Sequence, residues 1–374
     1  MARNRVIYQS EALFVSKNAG STAALDHKQI ERVQSANFSY TINRQDINQF
    51  GQLARIDSVI LDPPTVSTDF SYYLTDGFNE RALGFYVQTG GGNRNAEVQF
   101  ASGHMIGTSG KNLFIVTGPE GKDLNLSSLT ATDNAIGIGN AYLTDYTVDL
   151  AVGSIPTVSV SMEAANVRSD DSANSISSPA VNEADGTSID SNCTLPTPSS
   201  GVSSIKALRP GDITVNLTNF DSDTIVDLDG AAGTAHVQSA SISVPLSRSP
   251  IQRLGTRFPF AREVDYPINV TMSVSAILND QDAYNLSEKL TAGVQSATIT
   301  LKQKGSDDTD GDNAMLFTLK GAKVDSESMS SAIGSNKTVD LTLSAQIGGV
   351  TDTTAGLFVS GANTTSAFEL RNID

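Results

Sequence analysis

The stretch VQSANFSYTINRQDINQFG, Val33 to Gly51, returns 204 positions later as VQSASISVPLSRSPIQRLG, Val237 to Gly255. The same offset runs on without a gap to Asp76 and Asp280, and 13 of the 44 positions are identical. Among them are Val33/Val237 through Ala36/Ala240, Ser39/Ser243, Arg44/Arg248, Ile47/Ile251, Gly51/Gly255, Pro63/Pro267, Val66/Val270, Ser71/Ser275 and Asp76/Asp280. A second block repeats at an offset of 181, where AYLTDYTVDLAVGSIPTVSVSM from Ala141 is echoed by AKVDSESMSSAIGSNKTVDLTL from Ala322. Shared positions include Ala151/Ala332, Gly153/Gly334, Ser154/Ser335, Thr157/Thr338 and Val158/Val339. Two blocks repeated in the same order mean a duplicated domain, and a repeat this long constrains the architecture before any local reading does.

A chain of 374 residues holds two such copies, each of about 150 to 165 residues and able to bury its own core. The expected boundaries are 1–167 for the first domain, 168–210 for a Ser/Asp/Pro-rich linker, 211–349 for the second domain and 350–374 for a C-terminal arm. The segment 168–210 has little periodicity and reads as a flexible tether.

Within each copy the periodicity is that of strands. Phe38, Tyr40 and Ile42 alternate with Ser39, Thr41 and Asn43, and in the echo Ile242, Val244 and Leu246 alternate with Ser243, Pro245 and Ser247. Pro245 gives no ladder hydrogen bond and marks an edge or a bulge. The next strand repeats the pattern: Val66 to Leu74 faces one way against Ser67, Asp69 and Ser71, and Val270 to Leu278 against Thr271, Ser273 and Ser275. Closing strands follow at Val158–Met162 and Val339–Leu343, and further strands are expected at 83–87, 113–116, 297–301 and 315–319. A short helix is expected in NDQDAYNLSEKLTAG, capped near Asn279 and ended by Gly293, with a shorter counterpart in DGFNERALGF. About 20 residues join the first two strands of each copy, Asn43–Pro64 and Ser247–Pro267, far more than a tight hairpin needs.

Charge and composition exclude several functions. A formal net charge of −16 opposes nucleic-acid binding by counterion release, which needs clustered Lys and Arg. The opening MARNRVIYQSEALF lacks the apolar run of a signal peptide, and no window approaches a membrane-spanning length, so the sequence predicts a chain made in the cytosol without a membrane segment. Cys193 is the single cysteine, which leaves no intramolecular disulfide.

Catalytic patterns are missing. His27, His104 and His236 form no recognisable frame. GTSGKN at Gly107 fails the phosphate-loop pattern at Met105 and Asn112, and the glycines at Gly137 and Gly139 read as a turn before Ala141 without the helix a dinucleotide fingerprint requires. The acidic stretches SDDTDGDN, Ser306–Asn313, and DSDTIVDLDG, Asp221–Gly230, read as solvated turns, since an EF-hand frame on Gly311 puts Phe317 where the last carboxylate belongs. No metal and no cofactor is expected.

The phrase RVQSANFSYTINRQDINQFGQLARIDSVILDPPTVSTDFSYY, with the later AYLTDYTVDLAVGSIPTVSVSM, resembles the major tail tube proteins of long-tailed bacteriophages, which share a fold with type VI secretion tube proteins. The resemblance covers most of the first copy and, more faintly, the second. It implies a mainly β chain of two tandem β-sandwich or split-barrel domains, each with a short flanking helix, whose inner strands join a ring-wide β-barrel. The usual subunit carries one domain and makes a hexamer, so two domains per chain imply a homotrimer with pseudo-sixfold symmetry. The implied partners are copies of the chain itself, a tape measure protein and other tail proteins, with viral double-stranded DNA passing through the lumen. The implied location is the phage tail, assembled in the host cytoplasm, in a long flexible tail without a sheath.

Four inner strands per copy and two copies in each of three chains make 24. At about 4.8 Å between strands and a tilt near 40°, the backbone diameter is roughly 48 Å and the clear bore roughly 35 to 40 Å, against about 20 Å for duplex DNA. On this reading Ser39, Thr41, Asn43, Ser67, Asp69, Ser71, Ser243, Thr271, Ser273 and Ser275 face the lumen, a hydroxyl-rich and acidic lining on which a phosphate backbone finds little to grip. Arg44, Ile47 and Gly51, with Arg248, Ile251 and Gly255, then belong to loops that reach another ring or subunit. Two other readings stay open: a duplicated β-sandwich adhesin or capsid-decorating module, against which the absence of Trp counts, and an enzyme on a β scaffold, for which no convergent acid, base or metal set exists.

Overall fold

The structure is a computed structural model. It describes residues 11–89, 98–107, 109–173, 175–183, 185–189, 191–203, 205, 207–218, 236–255, 258–259, 261–277, 294–304, 310–334 and 336–363. The protein is mainly β, with two short helices among the described residues.

In chain order the first copy lays down β1 (Glu11–Ser16), β2 (His27–Gln29), β3 (Val33–Thr41), β4 (Arg44–Ile47), β5 (Asp57–Ile60), β6 (Thr65–Tyr73), α1 (Phe78–Leu83), β7 (Gln88–Thr89), α2 (Ser102–Ile106), β8 (Lys111–Thr117), β9 (Asn134–Ala151) and β10 (Thr157–Ala164). Three short strands follow, β11 (Asn166–Asp170), β12 (Ile176–Ser177) and β13 (Asn192–Cys193). The second copy adds β14 (Ile213–Thr218), β15 (His236–Pro245), β16 (Arg248–Ile251), β17 (Ala261–Val264), β18 (Asn269–Ile277), β19 (Gln295–Lys304), β20 (Asp310–Ser330) and β21 (Thr338–Gln346), and β22 (Gly356–Gly361) closes the described chain.

Eight strands form one continuous antiparallel wall in the order β20-β21-β18-β15-β9-β10-β6-β3. The first half of this path belongs to the second copy and the last half to the first, four strands each. Alternation sets its two faces. Val66, Phe70 and Tyr72 on β6 and Val270, Met272 and Val274 on β18 are buried at 2% exposure or less, while Ser67, Asp69 and Ser273 between them are exposed.

The copies match residue by residue. The ladder of β3 on β6 skips a residue between Val33 and Ser35, and that of β15 on β18 skips one between Val237 and Ser239, the same place 204 positions on. The ladder of β9 on β10 is displaced between Ser161 and Met162, and that of β20 on β21 between Thr342 and Leu343, 181 positions on. Both long strands turn a corner out of the wall, and the corner residues also correspond: Asn140 at φ 52° and Gly321 at φ 66°. Asn and Gly are the residues that enter this left-handed region at least cost, so the bend is written at one position of the repeat.

Beyond the corner, the first half of β9 pairs β8 and β11, and β8 pairs β1; the first half of β20 pairs β19 and β22, and β19 pairs β14. These outer strands cover the apolar face of the wall, and one hydrophobic core runs through both copies, from Phe70 and Tyr146 to Ile242 and Phe317. β22 adds a tie, pairing β20 of the second copy on one edge and β7 of the first on the other.

Three local readings change. The segment expected to be a flexible tether is packed: Ala173, Ile176, Cys193 and Leu195 are buried against Phe14, Phe114 and Val116 on the outside of β1 and β8. Periodicity missed this because the burial is done by single residues spaced along an irregular path. The glycines at 137 and 139, read as a turn, lie inside β9, where Pro179 of that segment presses so closely that a Cβ on Gly139 would sit 2.1 Å from its carbonyl oxygen. The strand expected over 83–87 does not form: Leu83 is the last residue of α1, whose ends are set by Gly77 at φ 90° and Gly84 at φ 103°, and the next strand, β7, starts at Gln88. The helix expected at 279–293 and the acidic turn at 221–230 lie outside the described residues, as does part of the acidic turn at 306–313.

Candidate assembly surfaces

Three surfaces of the wall bear on assembly: a polar face, the two end strands and the hairpins that rise from one end. On the polar face, pairing aligns a row of hydroxyls across seven strands: Ser344, Thr271, Ser243, Thr147, Ser159, Ser71 and Ser35. Ser35 and Ser71 hydrogen-bond through their hydroxyls at 2.7 Å. A neighbouring row runs Asp145, Ser161, Asp69 and Asn37, where Asn37 Nδ2 donates to Asp69 Oδ2 at 2.9 Å and Thr147 Oγ1 donates to Asp145 Oδ2 at 3.0 Å. Asp149 and Asp340 lie on the same face, as does Lys323.

The residues expected to face a lumen are placed by the structure on this polar face or, for Asn43, just beyond it. Ser39, Thr41, Ser67, Asp69 and Ser273 are exposed, Ser71, Ser243, Thr271 and Ser275 are half-buried, and Asn43 is exposed just beyond β3. Thr147 and Ser344 belong to the same row and were not singled out, although the repeat at offset 181 marked their strands. Register across strands decides membership of a row, and no single strand's alternation contains it.

The edges are the second surface. Inside the chain the two copies join where β15 pairs β9, with Ser241 opposite Asp149, Ile242 opposite Val148 and Ser243 opposite Thr147. This joint buries Ala240 to 4%, Ile242 to 1%, and Val244 and Leu246 to 0%. At the far ends of the wall lie β3, the counterpart of β15, and the second half of β20, the counterpart of β9; each ends the path of the wall. The counterparts of the buried row stand open: Phe38 is 36% exposed, Tyr40 62% and Ile42 37%. On β20, Met329 at the place of Val148 is 38% exposed.

The hairpins are the third. The long connections are two-stranded ribbons, β4 with β5 and β16 with β17. Arg44 and Ile47 are exposed on β4, where Arg55 pairs Asp46 at 2.9 Å in open solvent, a contact of small energetic value. Ile251 is 41% exposed on β16. Gly51 and Gly255 turn the tips at φ 85° and 90°, next to Phe50 and Leu254, which are fully exposed.

Arg248 behaves differently from Arg44. Its guanidinium donates to the carbonyls of His104 at 2.8 Å and Arg262 at 3.1 Å and lies 5.2 Å from the Tyr142 ring centre, and burial pushes its pKa down. Arg262 reaches Glu163 at 2.6 Å. The second hairpin is thereby fastened across the copy joint onto the first copy.

Behind the wall, Glu80 of α1 is fully buried and accepts from the hydroxyls of Tyr72 at 2.9 Å and Tyr146 at 3.2 Å through Oε1. Burial raises its pKa, and the same desolvation raises those of both tyrosines. His104 is held neutral by burial, with Arg248 and Lys111 adding to the downward shift. Among the described residues no group of three or more His, Cys, Asp and Glu is placed to hold a metal ion, and no helix is long and apolar enough to cross a membrane.

Fold and surfaces together define a mainly β protein of two repeated copies that share one wall. No protein-family model matches the chain, and no curated protein matches it. Two solved structures are similar in part. A chain of the anti-feeding prophage baseplate, from a six-fold symmetrised cryo-EM structure, matches 40% of this chain and 93% of its own at 12% identity and a TM-score of 0.26. A crystal structure of an Hcp protein matches 40% of this chain and 96% of its own at 9% identity and a TM-score of 0.22.

Proposed function

We propose that the protein is the wall subunit of a phage tail tube: chains join edge to edge into a ring, and the rings stack around a polar channel through which the genome passes. The joint between β15 and β9 carries this reading. It is a working example, inside one chain, of the contact that the two end strands, as counterparts of β15 and β9 in the repeat, would make between chains.

The repeat fixes the register. Subtracting 204 from β15 and adding 181 to β9 places Asn37 opposite Ser330 of the next chain, Phe38 opposite Met329, Ser39 opposite Ser328 and Tyr40 opposite Glu327. Phe38 and Met329 then meet as an aromatic ring and a thioether, and the Tyr40 hydroxyl faces a carboxylate. Because the two edges differ, the contact is head-to-tail, and a rotation that closes makes a ring. Three chains of eight strands give 24 and a bore of roughly 35 to 40 Å. The hydroxyl rows and their carboxylates line it, which disfavours any grip on DNA phosphates. A tape measure protein before ejection and double-stranded DNA during it are the expected contents.

The test is a cysteine pair, Asn37→Cys with Ser330→Cys. The native Cys193 is 2% exposed and does not compete. Mild oxidation should yield covalent circles that stop at three chains, and Asn37→Cys with Ser326→Cys, out of register, should stay uncrosslinked. Failure of the first pair to link, or a product limited to two chains, would overturn the ring.

A further inference from the structure

The joint inside the chain covers a carboxyl group. Glu80, fully buried behind β9, accepts from the hydroxyls of Tyr146 and Tyr72, and Tyr146 stands opposite Val244 across the joint with both at 0% exposure. Burial raises the Glu80 pKa and outweighs the two phenol hydrogen bonds, which act to lower it. Under this joint a carboxyl group keeps its proton more readily than in water.

The repeat writes the same two chemical groups again with their places exchanged. Adding 181 to Tyr146 gives Glu327, adding 204 to Glu80 gives Tyr284, and subtracting 204 from Val244 gives Tyr40. Tyr284 lies outside the described residues, whereas Glu327 and Tyr40 lie on the two end strands, β20 and β3. Glu327 is half-buried in the single chain and pairs Leu341 of β21, which puts it on the apolar side of the wall. Tyr40 is 62% exposed. The register that sets Phe38 against Met329 sets Tyr40 against Glu327, as Val244 is set against Tyr146. Side chains directly opposite one another on paired strands have Cβ atoms about 4.5 to 5.5 Å apart, within reach of a phenol and a carboxyl group. The neighbouring charges lie elsewhere. Lys323, opposite Ser344, and Asp340, opposite Ser328, belong to the polar face, and Asp325 is exposed at the bulge between Val324 and Ser326. Lys302 and Lys304 of β19 pair with Asn313 and Asp310, at the end of β20 far from Glu327. Arg44 is exposed on the hairpin beyond β3.

We infer that Glu327 and Tyr40 of the next chain form a buried acid–phenol contact at each joint of the ring, and that closing the ring takes up a proton at each such joint. The inference rests on the ring reading above and adds to it the condition that controls closure. In a free chain a glutamate in water is ionised above about pH 4.5, while taking it out of water favours the neutral form. The closed ring then binds more protons than the free chains do. The association constant for closure should therefore fall as pH rises, by up to about tenfold per pH unit for each joint, and level off once the carboxyl group ionises inside the ring as well. Glu80 is already buried in the single chain and adds nothing to this dependence.

Glu327→Gln tests it, since the amide keeps an acceptor for the Tyr40 hydroxyl and cannot titrate. Sedimentation of wild type and variant at fixed ionic strength, from about pH 5 to about pH 8, measures the association constant of each, and urea melts of the free chains confirm equal folding. The net charge of −16 makes free chains repel less in acid, an effect both proteins share, so the difference between their slopes is what counts. Wild type should lose at least tenfold more affinity per pH unit than Glu327→Gln, and the variant should hold its rings at the alkaline end. Tyr40→Phe removes the donor and should shift the loss of rings to lower pH. Equal slopes for wild type and Glu327→Gln would sink the inference. So would a Glu327→Gln chain that folds but closes no ring at any pH, because glutamine stands in for the protonated acid. The ring reading itself fails by a different result, the absence at every pH of the Asn37–Ser330 crosslink in otherwise wild-type protein.

Discussion

Phe38 and Ile242 hold the same position of the repeat, 204 residues apart, and one is 36% exposed while the other is 1% exposed. Local sequence does not explain the difference. Ile242 has β9 beside it and Phe38 ends the wall. The same substitution should therefore have two different effects. In isolated monomer Ile242→Ala should cost about 2 to 5 kcal/mol, the range for truncating a buried aliphatic side chain, and Phe38→Ala less than about 1 kcal/mol. Urea denaturation of the monomer measures both. Phe38→Asp should leave that monomer folded and abolish rings, because a carboxylate would be buried opposite Met329 without a partner.

Glu80 makes stability depend on pH in a predictable direction. Its folded-state pKa is raised above 4.5 by burial, so its contribution is fully present below the unfolded value and is lost as pH rises through the folded one. Glu80→Gln keeps an acceptor for Tyr72 and Tyr146 and removes the titration. The stability of wild type relative to Glu80→Gln should fall as pH is raised from about 4.5, and the two should differ least in acid. Glu80→Ala strands two buried hydroxyls and should destabilise at every pH, by about 1 to 3 kcal/mol for each. Thermal melts of the three proteins across pH check the sign.

The last described strand is structural. Leu357, Phe358 and Val359 of β22 are 0%, 1% and 0% exposed, and the Gln99 side chain of the first copy donates to the Asp352 carbonyl at 2.8 Å. Three fully buried apolar side chains contribute about 1.5 to 3 kcal/mol each, a sum comparable with the whole stability of an ordinary domain. Ending the chain at Gly349 should yield insoluble protein. A peptide of residues 350–363 supplied in excess should restore soluble, folded material by adding the missing strand to β20.

Much of this architecture was legible in the sequence, for reasons that can be named. Alternation along Val66–Tyr73 and Val270–Ile277 gave both strands and their faces, because each has one buried and one wet side. The two offsets gave the correspondence of β3 with β15 and of β9 with β20. Three things were not legible. The joint between β15 and β9 pairs residues about 90 apart, and nothing local encodes it. The long reach of β9 and β20 across the corner was hidden because Asn140 and Gly321 look like turn residues while acting inside a strand. The role of Arg248 was read from its position in the repeat alone; its contacts with His104 and Tyr142 depend on the first copy lying beneath it, and Arg44 has no such floor in the single chain.

Gly139 tests whether the packed segment 168–210 matters to the wall. A Cβ there would meet the Pro179 carbonyl carbon at 2.5 Å and the Ala180 nitrogen at 2.8 Å, both backbone atoms that cannot swing aside. Asn140, one residue on, donates to the Val181 carbonyl at 3.1 Å and accepts from the Val181 amide at 2.8 Å, so the segment is bonded at the corner where β9 leaves the wall. Gly139→Ala should lift Pro179 off β9, cost about 1 to 3 kcal/mol as overpacking does, and expose 171–190 to proteolysis. Gly121→Ala is the control for steric space, since its φ of 84° is strained but nothing lies within 4 Å of the added carbon. It should lose stability without any change in cleavage at 171–190. If Gly139→Ala resists protease as wild type does, the close contact with Pro179 is not what holds that segment in place.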